Sequence, residues 1–349
     1  MSPRLALTAL IVAAACLPAR AAAPDPGPLA VRVIESYLLP RYDAFAGATA
    51  EQRAAWAEAC RDGDFAPDIE TLRERFQTAS DAWSAVEHVT TGPISLSLRP
   101  DRVFFAPDRR NAVAKAIAEL ETRAQAGEIS AETMRRTSVA AQGFPALERL
   151  LYDSDGGDAG ARCRVGVAIA DNLAGIAGDV AKEWRADDGP LARLKRGEGD
   201  PVHFADPSQA VARLLTDLAG GVQRVNDLKL LAVMGSSADT ARPKAAEGWR
   251  SGRSARAIKV LVASLAAEAR AFTEAAPKNA AASDGKAFAA ASAAVAKLPD
   301  DIGVAAADPA RRKTLEAAIA ALKAAQNDVA KTLAPALGAT IGFNALDGD

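Results

Sequence analysis

The residues best placed to do chemistry lie in one stretch, Gln142-Gly143-Phe144-Pro145-Ala146-Leu147-Glu148-Arg149-Leu150-Leu151-Tyr152. On a helix advancing about 100° per residue, Phe144, Leu147 and Leu151 fall on one face and Glu148 lies on its flank, about 40° beyond Phe144. An acid on the flank of a buried face must be paired, metal-bound or protonated. Gly143 and Pro145 weaken the helix just before it, since Pro145 has no N–H to give the carbonyl of Ala141. Two readings follow: Glu148 is a functional carboxylate beside a kink, or it is a structural acid paired with Arg110, Arg136, Arg250 or another arginine.

The chain has two histidines, His88 and His203. A zinc ion that activates water normally takes about three protein ligands, and H-E-x-x-H is absent. His88 sits at a helix end, where a positive charge is favoured, and His203 sits in a polar linker. Oxygen donors remain for a hard cation such as iron: Glu148, and near the C-terminus Asp347 and Asp349, with Asn344 beside them. The plainer reading of that tail is a solvated end. Trp249-Arg250-Ser251-Gly252-Arg253-Ser254 gathers two guanidinium groups and two hydroxyls at an expected helix start, a place that can hold an anion or carboxylate. The alternative is that Ser251 or Ser254 caps the helix while Arg250 neutralises Glu148. The chain has no G-x-S-x-G elbow, no phosphate-binding loop or dinucleotide fingerprint and no C-x-x-C-H, which excludes the corresponding chemistries.

The elements that must position these residues are helices almost throughout. Apolar residues recur at helical spacing over 29–45, 67–88, 108–126, 130–152, 162–184, 208–233, 253–275, 285–296 and 309–337. Gly92-Pro93 ends the second helix. The alternation of Ile94, Leu96 and Leu98 suggests a loop over 94–105 with at most a short strand. The polar, Gly- and Pro-punctuated stretch 187–207 is the best boundary inside a chain longer than one typical core. The hydrophobic fraction is 49% and the aromatic fraction only 5%. Much of the apolar content is alanine, which suits closely packed bundles.

The N-terminus reads as a secretory leader. Arg4 precedes the apolar run 5–17, and Ala19-Arg20-Ala21-Ala22-Ala23 offers cleavage sites. A lipid-anchored reading at Cys16 lacks the Leu three residues before it. Removing residues 1–23 takes away Arg4 and Arg20 and no acid, so the net charge goes from −2 to −4. Such a chain has no electrostatic reason to bind nucleic acid. Cys60 and Cys163 remain. Outside the cytoplasm they could pair as a disulfide, the alternative being two separate buried thiols.

These segments together resemble the imelysin-like proteins, an exported bacterial family also catalogued as metallopeptidases, whose hallmark is G-x-H-x-x-E followed by Leu-Leu. This chain has Gly143, Glu148 and Leu150-Leu151, but Pro145 in place of the histidine. Ala82-Trp83-Ser84-Ala85-Val86-Glu87-His88 with Gly92-Pro93-Ile94, Arg102 to Asp108, Glu247 to Ser254 and Gly342 to Asp349 also resemble family segments, in order. The resemblance implies an all-α fold of two helical-bundle halves, residues 24–190 and 191–349 after a leader at 1–23, forming one imelysin-like domain. It also implies a cleft where the signature segments meet, a periplasmic setting and a link to iron uptake. The cleft residues would be Gly143, Pro145, Glu148, Trp249, Arg250, Ser251, Arg253, Ser254, Asn344 and Asp347. Glu148 with His88 would be the metal-binding pair for iron or another divalent ion. Proline offers no ligand atom, so the expected function is non-catalytic: binding of a metal, a metal complex or an envelope partner. Metallopeptidase activity is the alternative.

Overall fold

The computed structural model describes residues 23–108, 110–153 and 157–342. The leader, Cys16, Asn344, Asp347 and Asp349 therefore lie outside the described residues. Among those described the regular elements are helices. One isolated bridge, between Asp200 and Phe204, is the nearest approach to a sheet. Thirteen helices follow in order: α1 (26–59), α2 (Ile69–Ser84), α3 (Arg99–Val103), α4 (Ala112–Gln125), α5 (Ala131–Arg136), α6 (Phe144–Tyr152), α7 (Ala159–Trp184), α8 (Pro190–Lys195), α9 (207–234), α10 (Ser254–Thr273), α11 (Lys278–Val295), α12 (Ile302–Ala307) and α13 (309–336). Three of them are interrupted by π-helical stretches: Ile34–Leu38 in α1, Val225–Leu231 in α9 and Val329–Leu333 in α13.

Local chemistry explains the starts. Asp25-Pro26, Asp206-Pro207 and Asp308-Pro309 each place a side-chain acceptor at the N-cap and a proline in the first turn, where a missing N–H costs nothing. Asp158 caps α7 the same way, accepting from the Ala161 N–H.

Helices α1, α2, α4 and α7 pack on one another, as do α10, α11 and α13. The N-terminal group meets the C-terminal group where α1 lies against α9 and α10, and α2 against α10. Buried apolar residues form one contiguous core through both groups. Between α1 and α7 the approach is close: a Cβ on Gly166 would lie 2.1 Å from the Trp56 ring. Cys60, just after α1, is joined to Cys163 in α7, with Cα atoms 5.4 Å apart.

Two local expectations are corrected. Residues 94–105 are neither strand nor plain loop. Pro93–Leu98 is a 3-10 segment interrupted by a kink at Leu96 and Ser97, whose dihedral angles are not helical, and α3 follows. Ile94 is fully buried while Leu98 is 62% exposed, so the apolar alternation never marked one face. Pro145 does not kink a continuing helix. The helical run from Ser130 already ends at Arg136, a 3-10 turn over Val139–Ala141 follows, Gly143 precedes α6, and Pro145 occupies the first turn of α6.

Two buried acids give the fold a pH dependence. Asp217 accepts from the Thr90 hydroxyl at 2.5 Å and the Thr91 N–H at 3.1 Å, yet burial pushes its carboxyl up to about 6. Asp284 in α11 is pushed up to about 7 by burial and by the charge of Asp328. Both values lie above that of an unfolded aspartate, about 3.9. The folded state therefore keeps protons that the unfolded chain has lost. Their stabilising contribution is complete below about pH 4 and disappears as the pH rises through 6 to 7. The chain should melt at a higher temperature at pH 5 than at pH 8, and Asp284→Asn should flatten that slope and raise the melting temperature at pH 8. Calorimetry of both proteins across this range checks it; an unchanged slope in the variant would refute the assignment.

Candidate functional site

α6 is short and aimed by its start. A Cβ on Gly143 would lie 2.1 Å from the Val103 carbonyl oxygen and 2.6 Å from that of Arg102, so only glycine lets α6 begin against the end of α3. Glu148, one turn in, is 7% exposed. Its Oε1 accepts two hydrogen bonds from Ser251, at 3.0 Å from the backbone N–H and 2.5 Å from the hydroxyl. Ser251 lies in the turn before α10, flanked by Gly248 (φ +66°) and Gly252 (φ +67°). A Cβ on Gly248 would also meet Cγ of Arg253 at 2.1 Å.

Of the arginines named as partners for Glu148, only Arg250 acts on it, joined by Arg253, and Arg136 pairs with Glu132 instead; the direct partners of Arg250 and Arg253 are other acids. Arg250 stacks on the Trp249 ring at 4.3 Å and donates from Nε to Asp153 Oδ1 at 2.8 Å. Arg149 donates to the other oxygen of Asp153 at 3.0 Å. Arg253, 4% exposed, docks on α2: one guanidinium nitrogen reaches Gln77 Oε1 at 2.9 Å, the other Asp81 at 3.1 Å and Ser84 Oγ at 3.3 Å. Gln77 in turn donates to the Ser251 carbonyl at 3.1 Å and the Tyr152 hydroxyl at 3.2 Å. Burial raises the Glu148 pKa; the Ser251 hydrogen bonds and the charges of Arg250 and Arg253 pull it back. Ser254 and Ser251 do not cap α10 through their side chains, because Ser254 Oγ accepts from the Ile302 N–H at 3.2 Å at the start of α12.

His88 belongs to a second buried cluster. Its Nε2 is 2.8 Å from Glu268 Oε2 and 3.2 Å from the Tyr37 hydroxyl, which lies 3.0 Å from Ser264 Oγ. Both members of the His88–Glu268 pair have fully buried side chains. Tyr37 comes from the π-helical stretch of α1. Next to His88 in sequence, Glu87 is 2.8 Å from Lys229 Nζ, which also contacts Glu247. Burial pushes the Glu247 pKa up, but Lys229 and Arg224 hold it below the usual range. Thus Glu148, Trp249, Arg250, Ser251 and Arg253 meet at one part of the seam, Gly143 packs against the end of α3 with Pro145 in the first turn of α6, and His88 has other partners. His203 lies in the turn 200–204, its N–H donating to Asp200.

Sequence reading passed over Gln77 and Asp81 on α2, and Glu268 on α10. Gln77, Asp81 and Ser84 recur at i, i+4 and i+7, a polar stripe on a helix otherwise buried by Leu72, Phe76, Ala79 and Trp83, and His88 continues the spacing in the turn that follows. That stripe was the available signal.

The donors around Glu148 do not suit a resident divalent cation. One oxygen is taken by two hydrogen-bond donors, guanidinium groups flank it, and Pro145 supplies no ligand atom one turn before. Among the described residues no group of three or more His, Cys, Asp or Glu is arranged to hold a metal.

The family description "Imelysin" (Peptidase_M75) matches residues 38–329. Among solved structures, an imelysin-like protein from Psychrobacter arcticum 273-4 is 22% identical with a TM-score of 0.77, over 92% of this chain and 99% of that one. An iron-regulated protein A precursor from Parabacteroides distasonis ATCC 8503 is 15% identical with a TM-score of 0.70, over 90% and 97%. At such identities the likeness shows the shared fold. No curated protein sequence matches the chain.

Ser251→Ala should cost about 1–3 kcal/mol in urea unfolding, because it strips a hydroxyl from a buried carboxylate. Glu148→Gln should cost less than Glu148→Ala, since the amide still accepts from Ser251. Equal losses for the two Glu148 variants would show that the Ser251 hydrogen bonds carry no stability.

Proposed function

The chain belongs to the imelysin family, and on that premise we propose that it is an exported, non-catalytic binding protein of iron uptake. Its seam around Glu148 engages an anionic metal complex or an envelope partner. One observation carries the reading: Oε1 of Glu148 already accepts from both donors of Ser251 and the charges of Arg250 and Arg253 act on the carboxylate, with Pro145 where a ligating imidazole would stand. A peptidase that activates water on zinc needs an open position on a metal held by about three ligands. Guanidinium groups beside a carboxylate favour an anion instead, and planar forks such as Arg250 and Arg149 suit carboxylates. A ferric chelate rich in carboxylates has that chemistry.

The setting has independent support. The Cys60–Cys163 bond suits an oxidising compartment, and the leader at 1–23 is the means of reaching it. No helix among the described residues is long and apolar enough to cross a membrane. The structural relative from Parabacteroides distasonis is described as iron-regulated. The competing reading, a metallopeptidase, is favoured by the family description.

Metal analysis of the purified mature protein, casein digestion with and without chelator, and titration with ferric citrate test the proposal. Ferric citrate should bind, Arg250→Ala should weaken it about tenfold, and no chelator-sensitive cleavage should appear. Stoichiometric zinc with chelator-sensitive cleavage would establish the peptidase. Absence of ferric citrate binding, with capture of a partner from the envelope abolished by Glu148→Ala, would leave only the partner-binding form.

A further inference from the structure

Away from Glu148, a cavity of about 220 Å³ opens between α7, α5 and the 97–102 segment. One wall is basic and consists of Arg99, Arg102 and Arg135; the α7 wall carries Asp171, Asn172 and Asp179. The three arginines are not equivalent. Arg99 is neutralised: its guanidinium makes a two-pronged contact with Glu183 at 2.6 and 2.7 Å and also donates to the Pro93 carbonyl at 2.6 Å.

Arg102 is held differently. Its Nε donates to Gln142 Oε1 at 2.7 Å and one terminal nitrogen to Asn172 Oδ1 at 2.9 Å. Both acceptors are neutral amide oxygens, so they fix the guanidinium without cancelling its charge. The amides are themselves fixed. Gln142, 1% exposed, donates from its side chain to the Thr137 carbonyl at 2.7 Å, and Asn172 donates to the Gln142 carbonyl at 3.0 Å. Each amide nitrogen is thus committed to backbone, which leaves the oxygen facing Arg102. The remaining terminal nitrogen of Arg102, and the whole guanidinium of Arg135, have no hydrogen-bonding or ion-pair partner among the described residues. Burial, then repulsion from Arg99 and Arg135, lowers the Arg102 pKa, while the charge of Asp179 across the cavity pulls it the other way. Across the cavity Asp171 stands 3.7 Å from Arg53, whereas Asp179 makes no ion pair or hydrogen bond among the described residues.

We propose that this cavity binds a small zwitterion, its carboxylate on Arg102 and Arg135 and its ammonium group on Asp179. A guanidinium locked by oriented amides pre-organises a fork for a carboxylate. A free acid on the facing wall selects a second, positive end. The volume accommodates a molecule about the size of a free amino acid. The site is separate from the Glu148 seam, and the proposal does not rest on the function assigned there.

Three probes of equal chain length separate the contributions in isothermal titration calorimetry of the full mature protein in chloride buffer. 4-Aminobutyrate carries both charges, succinate two negative ones and butylamine only the positive one. 4-Aminobutyrate should bind most tightly, succinate more weakly and butylamine not at all. Arg102→Gln and Arg135→Gln should each weaken 4-aminobutyrate about tenfold or more. Arg135 is exposed and without a partner, so its variant tests the site even if Arg102→Gln disturbs folding. Asp179→Asn should abolish the preference over succinate. Binding of butylamine as tight as that of 4-aminobutyrate, no heat from either carboxylate, or wild-type affinity in Arg135→Gln would each overturn the proposal.

Discussion

A carboxylate withdrawn from water has to be met by donors, and in this protein that requirement joins the two groups of helices. Glu148 on α6 finds both its donors on Ser251, beyond the end of the other group's π-interrupted α9. Glu268 on α10 finds His88 in the turn after α2. Asp217 on α9 holds Thr90 and Thr91, and Glu87 meets Lys229. In each case the acid and its partner come from opposite sides of the seam. Removing the donor leaves a desolvated carboxylate, which costs far more than the pair contributes in net stability. The seam is therefore specified by pairing as well as by apolar burial.

The same requirement separates what the signature segments do. Because Ser251 saturates one oxygen of Glu148 and Arg253 is drawn away to Gln77 and Asp81, the Glu148 site is an ordered hydrogen-bonded junction lined by cations. Because His88 is used by Glu268 and Tyr37, its imidazole joins a different cluster. A histidine and a glutamate that both lie in signature segments need not share a site: each goes to the nearest partner that relieves its own burial. The amides follow this logic too. Gln77 ties three segments around Ser251, and Gln142 and Asn172 hold Arg102 by neutral oxygens.

Much of the architecture was legible. Helical periodicity located the long elements, and the Gly/Pro-rich stretch 187–207 falls between α7 and α9, with only the six-residue α8 inside it. The pairing of Cys60 with Cys163 was one of two open readings. What failed had local causes. Ile94, Leu96 and Leu98 alternate without sharing a face, since Ser97 and Leu98 adopt positive φ of 56°. Pro145 was read as a breaker within a helix because the extended backbone two residues earlier, at Gly143, depends on the Arg102 and Val103 carbonyls pressing against it. Of the site, Glu148 and the Trp249–Arg253 segment were legible as chemistry out of place. Gln77, Asp81 and Glu268 were not singled out, because a polar residue on an amphipathic helix looks the same whether it meets solvent or another helix.

The amino-acid sequence by itself determined that the chain is helical, where its long helices run, and that an acid at position 148 would sit at the edge of an apolar face with proline three residues before it. These follow from spacing and from backbone chemistry within a few turns. Only the tertiary structure decided which donors that acid meets, that His88 pairs with Glu268, and that Arg102 keeps its charge unpaired beside a cavity. Such pairings join residues a hundred or more positions apart, or depend on which way an amide is turned, and no local pattern records either.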